Sequence, residues 1–172
     1  KAKDKSSIIF CLFLLDWEAL FGGRFEYVQK RIFDDLDEVL ELGKIHTGLY
    51  NVWRFYANFL PAFYYANFAQ RSFFTPDQRK SYAEKAIEHA KESLKTPSFP
   101  PFIAWPYEML TWSHSQLVAF ATAKDERDEH AQKMLQYAKE AEKAAEKFEG
   151  GFPRAAGYSS LYRAYKTLAD IA

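Results

Sequence analysis

The 172-residue chain carries 23 Lys and Arg against 23 Asp and Glu, and a net charge of zero leaves no global field to draw nucleic acid or an anionic membrane surface. One domain spanning residues 1–172 is expected at this length, able to bury roughly 70% of the unfolded chain's surface without disulfides. The single cysteine, Cys11, lies among Phe10, Leu12 and Phe13, the setting of a buried, inert thiol.

Lys1 to Lys5 followed by the apolar run Ser6 to Leu15 has the basic and apolar parts of a signal peptide. The run falls well short of the ~20 residues a membrane span needs. Asp16, Trp17 and Glu18 continue it as an amphipathic helix with no small-residue cleavage site. No membrane span is expected, and localisation stays open. Gly22-Gly23 ends this first helix. A second, Arg24 to Leu42, shows Phe25, Val28, Ile32, Leu36, Val39 and Leu40 at three- and four-residue steps, with Gly43 as its C-cap. The third helix is expected from Thr47 to about Phe73, with rings around much of its circumference and, because of Pro61, a kink near Phe59-Leu60 or a break there into two short helices.

Thr75-Pro76-Asp77-Gln78 combines an N-cap, a first-turn proline, an acid and a capping-box glutamine, so a helix begins there. It runs to about Leu94, before Pro97, Pro100 and Pro101. Pro106 is expected to open a fifth helix, with Tyr107, Leu110, Leu117, Phe120 and Ala121 near one face and Trp112 and His114 pointing elsewhere. Charged Asp125 to Asp128 mark a turn. The sixth helix, Asp128 to Phe148, places Met134, Leu135, Ala138, Ala141 and Ala145 inward and Lys/Glu pairs outward. Gly150 to Pro153 closes it. A seventh helix, Tyr158 to Ile171, turns Leu161, Tyr162, Tyr165, Leu168 and Ala169 inward as a terminal cap.

Two of these segments match in register: Tyr82 to Ala90 and Tyr137 to Ala145, fifty-five positions apart, share one tyrosine and three alanines. Such periodicity decides architecture. Tyr82 to Pro97, with Ala86 and Ala90 at close-packing positions and a closing proline, resembles the second helix of a tetratricopeptide repeat. Tyr158 to Tyr165 resembles the first helix of such a repeat. The resemblance extends from about Thr47 to the C-terminus and implies stacked helix pairs that bind a partner; the unit is longer than the family's 34 residues. The expected fold is all-α, about seven helices in antiparallel pairs, forming either a tetratricopeptide-like α-α superhelix or a helix bundle.

No phosphate-binding glycine loop, nucleophile elbow or zinc-protease motif occurs. His46, His89, His114 and His130 lie on separate segments with no pair at helical ligand spacing, so no metal and no cofactor is expected. Glu18 and Glu108, each beside apolar rings, are the acids expected to have a raised pKa. The constellation that draws attention is aromatic. Trp105, Tyr107, Trp112 and His114 are expected to approach Trp53, Arg54, Tyr56, Tyr64 and Tyr65 if adjacent units stack, giving either a groove or ordinary inter-helix core. The functional expectation is a non-enzymatic helical-repeat module presenting an aromatic concave face to a peptide or partner protein. The alternative is a receptor or carrier for an apolar or carboxylate-bearing small molecule.

Overall fold

A computed structural model of the chain describes residues 51–96, 102–148 and 151–172. Over these residues the fold is all-α, with no strand and five helices: α1 (Asn51–Ala69), α2 (Pro76–Leu94), α3 (Ala104–Phe120), α4 (Lys124–Ala145) and α5 (Phe152–Ile171). The two helices expected before Thr47, with Cys11 and Glu18, lie outside the described residues, so five of the seven expected helices are seen. None of the five is long and apolar enough to cross a membrane.

Helix α1 runs unbroken through Pro61. A mid-helix proline removes one hydrogen bond and clashes with the preceding turn, a cost of ~3 kcal/mol. Burial offsets it: Phe55, Phe59, Leu60 and Phe68 are almost wholly enclosed, and each such side chain contributes about 1.5–3 kcal/mol. The helix stops at Ala69 rather than Phe73, where Asn67 and Gln70 side-chain amides donate to the carbonyls of Phe63 and Ala66.

Helix α2 begins where the sequence places it. Gln78 N–H donates to Thr75 Oγ1 at 3.3 Å, and Thr75 N–H donates to Gln78 Oε1 at 3.0 Å. This reciprocal pair satisfies two otherwise orphaned donors. Two later boundaries differ from expectation. The acids Asp125 and Glu126 are not turn residues but the first turn of α4, where negative charge complements the positive end of the helix dipole. Phe152-Pro153 opens α5 instead of closing α4: the fixed φ of proline suits the first turn, and Gly151 before it has φ 79°, which a side chain would strain.

Consecutive helices run antiparallel. Each even helix is wedged between the two odd helices that flank it, and the odd helices also touch one another, α1 with α3 and α3 with α5. The alanine stripes make this possible. Ala83 of α2 meets Ala69 of α1 and Leu117 of α3, while Ala145 of α4 meets Ala104 of α3 and Ala156 of α5. At Gly157 α4 and α5 approach closely, since a Cβ there would lie 3.0 Å from Ala145 Cβ and 3.1 Å from Glu142 Cα.

The fifty-five-residue repeat is thus visible as burial: Ala83, Ala86 and Ala90 are enclosed like Ala138, Ala141 and Ala145. It is not a repeat of helix position. Tyr82 lies in the first half of α2 and Tyr137 in the second half of α4. The expected inner face of α5 also needs correction. Leu161 and Leu168 pack inward against Met134 and Ala138, whereas Tyr162, Tyr165 and Ala169 are exposed. The small residues Ala156, Gly157, Ser160 and Ala164 take the inner positions, because α4 lies too close for rings.

Candidate functional site

Helix α3 touches all four other helices, so its side chains are distributed among four different surroundings. Trp105 stacks on Phe59 of α1 at 5.4 Å between ring centroids and packs on Phe102. Tyr107 and His114 both face α4, where Tyr137 stacks on them at 6.4 and 5.5 Å. They share a face, contrary to the sequence reading, because seven residues make two helical turns. Trp112 faces α5.

Of the remaining expected residues, Tyr64 is enclosed in the core, and Tyr65 is sandwiched between Tyr82 and His89 of α2. Trp53, Arg54 and Tyr56 lie on α1, but their side chains fall outside the part described. The structure brings Tyr107 and His114 together under Tyr137, and it sets Trp105, Tyr107 and Trp112 against the one core cluster that contains Tyr64 and Tyr65.

Two constellations remain with chemistry of their own. The first is a histidine pair across α3 and α4: His114 Nδ1 and His130 Nδ1 are 3.2 Å apart, so one donates and the other accepts. Burial pushes His114 down to about 3, and the neighbouring His130, Lys133 and Lys91 act in the same direction. His130 is lowered too, chiefly by burial. The Nδ1 contact requires that at least one of the two nitrogens be unprotonated, and burial favours the neutral form of both rings. Among the described residues no group of three or more His, Cys, Asp or Glu is placed to hold a metal, so the pair has no third ligand.

The second constellation lies between α3 and α5. The Arg163 guanidinium sits over the Trp112 ring at 4.5 Å, a cation-π contact. Glu108, one turn before Trp112, accepts a hydrogen bond from Ser159 and feels the charge of Arg163. Burial outweighs both and pushes its carboxyl up to about 7. The same burial lowers Arg163, which Glu108 partly restores.

Beside this cluster runs an open trough of about 340 Å³. Ser115, Gln116, Val118 and Ala119 of α3 form one wall, and Ser159, Tyr162, Arg163, Lys166 and Asp170 of α5 the other. Along α5 the trough extends from residue 159 to 171, which at 1.5 Å per residue is about 18 Å, the reach of five or six extended residues. No family model, curated protein or solved structure matches the chain.

Sequence reasoning singled out Glu108 and Trp112 but not Arg163, Ser159 or Lys166. Arg163 is one of several cations on amphipathic helices, and only the packing of α5 onto α3 distinguishes it.

Proposed function

We propose that the chain is a non-enzymatic helical-repeat module, of the tetratricopeptide-like kind, whose α3–α5 trough binds an extended peptide segment bearing a carboxylate. The observation that carries this reading is Arg163 held over the Trp112 ring, 4.5 Å from its centre, at the trough wall. A guanidinium restrained by such a contact can pair a carboxylate at reduced entropic cost. Glu108 is its internal counter-ion, but with a carboxyl at about 7 it is only partly ionised near neutrality and yields the arginine to a stronger acid. Lys166 adds a second cation, while Ser115 and Gln116 offer hydrogen bonds to a peptide backbone. The trough is open to solvent and shaped for a segment rather than for an enclosed small molecule.

The test is a binding measurement on an array of octapeptides, acidic, neutral and basic, each with a free or amidated C-terminus. Acidic peptides are expected to bind and to lose at least tenfold in affinity with Arg163→Gln. An array in which no peptide distinguishes the wild type from Arg163→Gln would overturn the proposal.

A further inference from the structure

Helix α3 carries Ala104, Tyr107, Thr111, His114 and Val118 at alternating three- and four-residue steps, one continuous stripe of the helix. That stripe is covered. Tyr137 lies over Tyr107 and His114, His130 meets His114, and Ala145 meets Ala104. Fifty-one positions later α5 repeats the stripe as Ala155, Tyr158, Tyr162, Tyr165 and Ala169, and all five residues are exposed. The offset is set by the packing itself. It carries Leu117, which packs with Ala83 of α2, onto Leu168, which packs with Met134 and Ala138 of α4.

Tyr158, Tyr162 and Tyr165 are 57%, 70% and 57% exposed, whereas the end of a helical array that faces only water carries a polar outer surface. Tyr158 is also held in place, with Arg154 Nε donating to its hydroxyl at 3.3 Å and the guanidinium 6.0 Å from its ring centre. Tyrosines with a fixed ring and a polar tip are the anchors of protein interfaces. Alanines at both ends of the stripe let another backbone come close. Arg154 and Lys166 flank it on its two sides, favouring an occupant with acidic edges.

We infer that the outer face of α5 docks an amphipathic helix of a partner protein, alanine-striped and acid-flanked, lying across α5 as α4 lies across α3. The face shares Tyr162 and Lys166 with the trough wall, but Tyr158 and Tyr165 lie outside it, so substitutions at those two rings test the face apart from the trough.

The probe is a labelled synthetic peptide with the sequence of residues 124–145, the chain's own helix of this type, titrated onto the full chain by fluorescence anisotropy. The peptide is expected to bind, and Tyr158→Glu combined with Tyr165→Glu to weaken it at least tenfold. Phe73→Ser, at an exposed ring on the α1–α2 turn, and Arg163→Gln are expected to change it less than twofold. Peptides with leucine at the positions of Ala138 and Ala141 are expected to bind at least tenfold more weakly. Absence of binding overturns the inference, as does binding that the double tyrosine variant does not weaken. Concentration-dependent self-association of the unliganded chain, abolished by that variant, also overturns it by assigning the face to a second copy. Loss of peptide-array binding with Arg163→Gln while helix binding persists separates the two proposals.

Discussion

Along its α4 side, helix α3 buries Tyr107 and His114 under Tyr137 and keeps two imidazoles neutral. Along its α5 side the same helix leaves Trp112 and Glu108 beside an open trough, under an arginine. Both seams are lined with rings and ionisable groups, so composition does not separate them. What separates them is closeness. The alanine stripe of α4 draws that helix in until water is excluded, and burial then holds the histidines in the form that needs no solvation. In the second seam Arg163 lies over Trp112 at the wall of the open trough, while Glu108 behind it is buried.

The largest expected effect breaks the closed seam with acid. His114 titrates near 6.5 when unfolded and at about 3 when folded, so the unfolded state binds the extra proton. Stability from this group is therefore complete above pH 6.5 and falls as the pH drops toward 3, by on the order of 4 kcal/mol. Glu108 has the opposite sign: its carboxyl is raised to about 7, and its contribution is present below 4.5 and lost as the pH rises through 7. Urea denaturation from pH 3 to 8 is expected to show both limbs. His114→Phe flattens the acid limb and leaves the other.

Next in size is Tyr137→Ala, which removes the ring covering both Tyr107 and His114. It is expected to lower the unfolding free energy from urea denaturation by about 3 kcal/mol. On the open seam the equivalent change is smaller: Arg163→Gln is expected to cost about 1 kcal/mol through loss of the contact with Trp112. It also moves the Glu108 carboxyl further up, as carboxyl NMR titration reads directly. If Arg163→Gln cost as much as Tyr137→Ala, the two seams would not differ in kind. The smallest effect is expected for Lys80→Ala, which removes an exposed ion pair to Glu126 of 3.2 Å and changes stability by about 0.5 kcal/mol or less.

What the sequence reveals is what short segments decide for themselves. The Thr75–Gln78 box and the inward Met134, Ala138, Ala141 and Ala145 follow from contacts within a few residues or from one helical period. Glu108 was legible as an acid of raised pKa from its neighbours alone. The histidine pair was not, because His114 and His130 are joined across two helices whose rotation no single segment sets. The tyrosines of α5 were misplaced for a related reason. A helix with rings on one face and alanines on another reads as rings inward, and only the proximity of α4 reverses it. The start of α4 was missed because Asp125 and Glu126 favour both a turn and a helix N-terminus, and the second use prevails.

The capping box of α2 has a consequence in time. It is complete within four residues of chain and needs no distant contact to form, next to the short turn that joins α1 to α2. Loops this short close fastest, so among the described residues the α1–α2 hairpin is expected to form early in folding. Thr75→Ala removes about 1 kcal/mol of cap energy. In stopped-flow refolding that loss is expected as an about fivefold slower folding arm with an unchanged unfolding arm.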